Sequence, residues 1–164
     1  MATKLGLESA PRTLPPPPAS DGAQEVQGAV RLVLDALGDG RAGEATLALV
    51  QAAGITPDPE KWAAGGIGRQ TRALTKAGLE VIVERKVVET IFIHTEPGGT
   101  SLTAPDSLIA GLDAVGSRES VAALLGPVEL SGDTYDRYVV EGRFLHFTFG
   151  AGGLELLTAM VDAP

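Results

Sequence analysis

Hydrophobic positions along this chain change spacing several times, and the changes follow the same order in two halves. In each half, a segment with helical spacing ends at a glycine and is followed by two segments with the alternating or β-branched pattern of strands. These segments are 43–54, 78–84 and 87–93 in the first half, and 117–126, 142–149 and 154–161 in the second. Two helix-plus-hairpin units of this kind predict one continuous sheet assembled from a duplicated module.

Helical spacing of apolar residues predicts four helices, at residues 24–37, 44–53, 105–112 and 117–125. Asp21 is the expected N-cap of the first helix and Ser117 of the last, because a short polar side chain accepts a hydrogen bond from a free backbone N–H of the first turn. Gly38 and Gly54 are expected to end the first two helices. These two helices should therefore form a helical hairpin.

Runs of β-branched and aromatic residues predict six strands, at residues 69–75, 79–84, 87–94, 135–141, 144–149 and 154–161. Arg85 and Lys86 form a two-residue connection between the second and third strands, although neither residue favours positive φ. Gly142-Arg143 and residues 150–153 are expected to form the later turns. Both alternating sets of the strand at 87–94 contain apolar residues, which predicts burial on both faces.

The order of these elements predicts an α+β fold, an antiparallel sheet of six to eight strands with helices packed on one face. A chain of 164 residues with 44% hydrophobic content can bury one core, so residues 22–162 are assigned to a single domain. Its repeats span about 24–95 and 105–162. Residues 1–21 contain four consecutive prolines and are expected to form a disordered tail. An insertion at 55–68 is rich in proline and glycine, and Trp62 is expected to anchor it.

Composition limits the chemistry that the chain can perform. The sequence contains no cysteine, which excludes disulfides, thiolate metal sites and a cysteine nucleophile. A net charge of -8 disfavours binding to nucleic acid or to an anionic membrane, and it favours a basic protein partner. The sequence has no apolar run long enough to cross a bilayer. A cytoplasmic protein is the resulting expectation.

Few residues suggest catalysis or cofactor binding. His94 and His146 lie in or at the end of apolar strands, where histidines are usually hydrogen-bonded structural residues. Residues 65–71 contain three glycines and an arginine, but no strand leads into them and no Gly-Lys-Ser/Thr follows. None of the serines lies in the Gly-x-Ser-x-Gly motif of a nucleophile elbow. We therefore predict no catalytic residue, no metal and no cofactor.

A polar cluster stands out at residues 131–138, where two carboxylates, an arginine and two tyrosines surround the start of a strand. Tyrosine and arginine are favoured anchors in protein interfaces. The alternative is a structural turn at Asp133, in which the aspartate bonds its own backbone. Together with Trp62, the residues predicted to bind a partner are Asp133, Tyr135, Asp136 and Arg137.

The second half resembles a known family through residues 117–127, the run Asp136-Arg137-Tyr138, Gly142, residues 145–147 and residues 154–157. It is similar to bacterial tandem-repeat proteins that resemble beta-lactamase inhibitor proteins and the outer-membrane-assembly lipoprotein fold, and that include toxin-immunity proteins. The resemblance covers about 45 residues, and the first half matches only in outline. It implies that helices pack on one face of a shared antiparallel sheet, and that the exposed face or its loops bind another protein. The chain departs from this pattern in its 55–68 insertion, and its lack of cysteine excludes a lipoprotein.

These observations lead to one main hypothesis and two alternatives. The main hypothesis is a nonenzymatic, cytoplasmic immunity-type protein that neutralises a basic toxin by covering its active surface. An acidic secretion chaperone for an effector protein is the first alternative. The second is a small-molecule enzyme with a sheet-lined pocket that uses His94 or His146.

Overall fold

Seven strands of the described chain pair as one antiparallel sheet, in the order β1-β2-β3-β7-β6-β5-β4. A computed structural model of the protein describes residues 25–162, so the predicted tail at 1–21 and the Asp21 N-cap lie outside the described residues. The helices are α1 (Val30–Ala36), α2 (Glu44–Ala52), α3 (Pro59–Ala63), α4 (Pro105–Leu108) and α5 (Arg118–Leu125). The strands are β1 (Gln70–Leu74), β2 (Leu79–Glu84), β3 (Val87–His94), β4 (Leu130–Ser131), β5 (Tyr135–Val140), β6 (Arg143–Gly150) and β7 (Gly153–Met160). The predicted α+β fold with an antiparallel sheet is confirmed.

The two repeats meet at their last strands, β3 and β7, in the middle of the sheet. Each of these strands contains a bulge close to its hairpin, at Glu89 in β3 and Glu155 in β7. Three residues after each glutamate lie Phe92 and Thr158, which are direct partners across the β3–β7 pair. Residues at the same distance from the two bulges therefore pair with each other, as expected if the two halves are copies of one module.

The core lies between one face of the sheet and the helices, and we call this face the inner face. It is formed by alternate side chains of the central strands, among them Val81, Ile91, Leu157 and Phe147, which are almost completely buried. These residues belong to the same cluster as the apolar sides of α1, α2 and α5. Burial of apolar surface on this scale is the main stabilising term of such a fold. The opposite, outer face carries no residue of this cluster among the described positions.

The first predicted helix begins later than expected, at Val30 rather than at residue 24. Gly28 has φ of 114°, which does not occur within a right-handed helix. The backbone around it instead bonds to the segment after α4, through Ala29 N to Ser107 O and Ala110 N to Gln27 O. A side chain at Gly28 would collide with this segment. Tertiary pairing therefore replaces the first two turns of the helix.

Two later boundaries also differ from the predictions. Helix α4 ends at Leu108 instead of residue 112, because Ile109 is extended and fully buried. The β5–β6 turn is formed by Glu141 and Gly142, both with positive φ, and not by Gly142 and Arg143. Arg143 is the first residue of β6, opposite Val140.

The bulge at Glu89 decides which side chains of β3 are buried. The register of β2 against β3 shifts at this point, so that Glu89 is an extra residue. The inner positions are therefore Val88, Ile91 and Ile93, which come from both alternating sets. On the outer face the strand is only partly buried, and His94 is exposed. The predicted burial is therefore complete on the inner face and only partial on the outer face.

In the part of the chain that the structure describes, every helix is too short or too polar to cross a bilayer.

Candidate functional site

A turn at residues 131–136 leads from the edge strand β4 into β5 and is held by one arginine of α5. Arg118 donates hydrogen bonds to the carbonyl oxygens of Gly132, Asp133 and Tyr135, at 2.6, 2.9 and 3.1 Å. It also donates to both carboxylate oxygens of Asp136, at 2.8 and 2.7 Å. A guanidinium offers five N–H groups in a fixed fork, so a single side chain can fix the whole turn.

Asp136 lies on the inner face of the sheet, where its carboxylate is almost completely buried. The hydrogen bonds from Arg118 lower the pKa of Asp136 against the opposing effect of burial, and Ser131 adds a hydrogen bond from its hydroxyl at 2.6 Å. The carboxylate is therefore ionised at neutral pH and fully engaged. It positions the turn and has no free oxygen surface for a partner.

The N-terminus of α5 is fixed separately from the turn. Ser117 caps the helix as predicted, since its hydroxyl accepts a hydrogen bond from Ser120 N at 3.1 Å. Asp113 accepts hydrogen bonds from the backbone N–H and the hydroxyl of Ser117, which lower the pKa of this aspartate. Helix α5 and the 131–136 turn are thus both rigidly placed beside the β6–β7 hairpin.

A groove of about 810 Å³ lies between α5, this turn and the β6–β7 hairpin. Its floor is apolar and is formed by Phe149 and Val115, and the guanidinium of Arg118 packs against the Phe149 ring, 5.7 Å from the ring centre. The exposed carboxylates of Glu119 and Asp133 lie on its rim. The groove is also lined by Ser117, Thr134 and the hairpin residues Gly150, Ala151, Gly152 and Gly153. We call it the α5 groove.

Tyr135 and Arg137 lie on the outer face and do not reach the α5 groove. Tyr135 stacks on His146, with ring centroids 4.7 Å apart and an interplanar angle of 17°. Arg137 is nearly buried, donates a 2.7 Å hydrogen bond to Glu129 and lies 5.5 Å from the centre of the Phe144 ring. Of the four polar residues predicted around this strand, only Asp133 is both exposed and at the groove.

Trp62 anchors the 55–68 insertion, as the sequence predicts. The residue is 6% exposed and belongs to the core cluster. The guanidinium of Arg72 lies 5.3 Å from the ring centre and donates to the carbonyl oxygens of Lys61 and Ala64, at the end of α3. The indole is therefore a packing residue, and its buried surface is not available to a partner.

The two histidines share the outer face but are separated by strand β7. His94 pairs with Leu156 of β7, and His146 pairs with Thr158 of the same strand on its other side. Nε2 of His94 lies 3.5 Å from Oε2 of Glu80. Burial, and secondly the positive charge of Arg137, lower the pKa of His146, which favours the neutral ring. Within residues 25–162, no group of three or more His, Cys, Asp or Glu is arranged to hold a metal ion.

Sequence reasoning did not assign the residues that build the α5 groove. Glu119 and Phe149 are separated by 30 positions and meet only because α5 packs beside the second hairpin. Arg118 appears in the helix motif at residues 117–127, but nothing in a single sequence says which carboxylate it pairs with. The one local signal is the position of Arg118 directly after the predicted N-cap Ser117. A charged side chain at such a position is exposed to solvent unless a residue from another element pairs with it.

Comparisons with known proteins found no match to this chain among family models, curated proteins or solved structures.

Proposed function

We propose that this chain is a nonenzymatic protein-binding module of the immunity type, which captures a cognate basic protein in the α5 groove. The observation that carries the proposal is the combination of an apolar floor, Phe149 and Val115, with the exposed carboxylates Glu119 and Asp133 on the rim. An arginine or lysine side chain of a partner has a matching shape, because its apolar stem packs on the floor while its charged end reaches the rim.

The rigidity of the groove supports a binding role. Arg118 donates its hydrogen bonds to Asp136 and to backbone carbonyls, so its guanidinium is held in a fixed position against the Phe149 ring. Preorganised surfaces lose little conformational entropy on association. The same engagement argues against Arg118 as a residue that stabilises charge in a reaction.

The overall charge supports a basic partner. A protein of net charge -8 attracts a positively charged protein over a distance of about one Debye length, roughly 8 Å at physiological salt. This attraction raises the association rate more than the final affinity. The resemblance to tandem-repeat immunity proteins agrees with such a role, in a cytoplasmic setting where the partner's active surface is covered.

A charge-reversal experiment tests the proposal. The protein is used to isolate its partner from the native cell, and the purified partner is then titrated with wild type, with Glu119→Lys/Asp133→Lys and with Glu60→Lys/Asp162→Lys. Both double variants change the net charge equally, but Glu60 and Asp162 are exposed residues that do not line the groove. We expect the groove variant to weaken binding by at least about tenfold more than the control variant.

Three results would contradict the proposal. An equal loss of affinity in the groove variant and in the control variant would show that only the net charge of the protein matters. Binding that requires an unfolded segment of the partner would favour the secretion chaperone. Turnover of a small molecule that is lost in His94→Asn or His146→Asn would favour the enzyme.

A further inference from the structure

The two repeats end in hairpins with different surroundings, and only one of the two hairpins carries charged side chains at its tip. The β6–β7 hairpin borders the α5 groove with its acidic rim, whereas the equivalent β2–β3 hairpin carries Arg85 and Lys86 at its tip. Next to this tip lie Arg69 and Ile67, and all four side chains belong to exposed residues. Ile67 is 67% exposed, the largest value among the exposed large hydrophobic residues of the described chain. We call these four residues the basic tip.

Hydrogen bonds join the insertion to the hairpin at this point. Arg85 N donates to Ile67 O at 2.8 Å, and Arg41 N donates to Lys86 O at 2.8 Å. Arg69 pairs with Glu84 at 3.3 Å. The backbone of the exposed isoleucine is therefore fixed next to the hairpin residues Arg85 and Lys86.

A buried arginine, Arg41, holds the backbone of the 55–68 insertion in place. Arg41 is 4% exposed, and its guanidinium donates to the carbonyl oxygens of Ala63, Gly65 and Gly66 and to the side-chain oxygen of Gln70. These acceptors of Arg41 are all neutral oxygens. A buried cation is costly to desolvate, and here it serves to order a loop whose own residues are mostly exposed.

The backbone of the β2–β3 turn is strained, because its two residues are not ones that favour positive φ. Arg85 and Lys86 have φ of 55° and 67°, the left-handed region in which Asn-Gly is the favourable pair. In the equivalent β6–β7 turn, only Gly153 has positive φ. Arg85 and Lys86 keep this strained backbone although their exposed side chains contribute nothing to the core. This combination points to a function for the two side chains, such as binding.

The local charge opposes that of the whole protein. At the tip the cations Arg69, Arg85 and Lys86 outnumber the nearby carboxylates Glu84 and Glu89, in a protein of net charge -8. An exposed apolar side chain beside the exposed cations Arg85 and Lys86 is complementary to an apolar residue flanked by carboxylates.

We propose that the basic tip is a second interaction surface, which binds an acidic protein segment that packs one apolar side chain on Ile67 and pairs its carboxylates with Arg69, Arg85 and Lys86. This surface lies at the opposite end of the strands from the β6–β7 hairpin, as the antiparallel pairing of β3 with β7 requires. It is independent of the α5 groove and of the partner proposed for it.

Titration with a defined peptide tests this surface. The probe is a synthetic peptide in which leucine and phenylalanine are flanked by glutamates, added to the ¹⁵N-labelled protein and followed by amide chemical shifts. We expect shift changes confined to residues 65–69 and 84–87. Affinity should fall at least about tenfold in Ile67→Ser and in Arg85→Asn/Lys86→Gly. The second variant suits the turn better than the native pair, so its melting temperature should not fall and lost binding cannot be attributed to unfolding.

Several results would overturn the proposal. No shift change at a millimolar peptide concentration would do so, as would changes confined to the α5 groove. Equal binding of inorganic polyphosphate or of a thymidine oligonucleotide would assign the tip to anions in general. Self-association of the protein that is lost in Ile67→Ser would assign it to a second copy.

Discussion

Arg118 and Asp136 form a bidentate ion pair, with N···O distances of 2.8 and 2.7 Å, between helix α5 and strand β5. The same guanidinium donates a hydrogen bond to the Asp133 carbonyl oxygen and lies 5.7 Å from the centre of the Phe149 ring. One interaction therefore links the stability of the outer strands to the shape of the α5 groove.

Replacing Asp136 by Asn should lower the free energy of unfolding by roughly 1 to 2 kcal/mol, because the partly exposed guanidinium of Arg118 loses a charged acceptor that is itself buried. Urea denaturation followed by circular dichroism measures this change. Asp162→Asn, at an exposed position, is the matched control and should change little. A loss no greater than that of the control would show that the pair contributes nothing.

Acid should weaken the same interaction. The pKa of Asp136 lies below its ordinary value of 3.8, so its contribution is fully present above that value and is lost as pH falls through the lower pKa of the folded state. Wild type and Asp136→Asn should therefore differ in stability at pH 7 and converge in strong acid. Thermal unfolding at a series of pH values tests this, and a constant difference would contradict it.

Glu89 should show the opposite pH dependence. Burial, with the negative charge of Glu84 as a second cause, raises the pKa of Glu89 above its ordinary value of 4.5. Ionising this carboxyl costs more in the folded than in the unfolded state, so stability falls as pH rises through the raised pKa. Glu89→Gln should stabilise the protein at pH 7, by less than about 1 kcal/mol, and should give no gain below pH 4. Glu155→Gln, the equivalent exposed bulge residue, is the control.

The β2–β3 turn should be improved by conventional turn residues. Arg85→Asn/Lys86→Gly is expected to raise the free energy of unfolding by roughly 1 to 2 kcal/mol, because Asn and Gly accept positive φ at lower cost. Chemical denaturation measures the gain. Arg85→Ala/Lys86→Ala removes the same charges without relieving φ, and a comparable gain in that variant would point to charge rather than to backbone strain.

Loss of Arg41 should loosen the insertion while leaving the sheet intact. In Arg41→Met the carbonyls of the insertion lose their shared donor, so we expect faster hydrogen exchange at residues 59–68 than in wild type. The single Trp62 reports the same event, since its emission should shift to the red as the ring becomes hydrated. Arg41→Lys keeps the charge without the fork and should show a similar change. Unchanged emission in both variants would contradict the role of Arg41.

Local patterns predicted those elements that depend on neighbouring residues. Ser117 caps its helix because the hydroxyl reaches Ser120 N, a contact within one turn. The strands at 79–84 and 87–94 coincide with β2 and β3 because β-branched runs favour extended backbone. The two-residue edge strand β4 was not predicted, since Leu130 and Ser131 are extended only through pairing with Arg137 and Asp136.

The candidate site was predicted in part. Asp133 does lie at the α5 groove, but Asp136 is on the inner face, whereas Tyr135 and Arg137 are on the outer face. Alternation along a strand separates such residues, and a sequence cannot say which alternate set faces the helices when both contain polar and apolar members.

The sequence by itself determined the type and approximate position of six of the seven strands and of four of the five helices, and the absence of cysteine chemistry, because spacing, capping and turn residues act over a few positions. Only the tertiary structure decided that β3 pairs with β7, that Arg118 holds Asp136, and that Arg41 fixes the insertion beside Arg85. These relationships join residues far apart in the chain, and their energies depend on burial and distance, which exist only once the sheet and helices have packed.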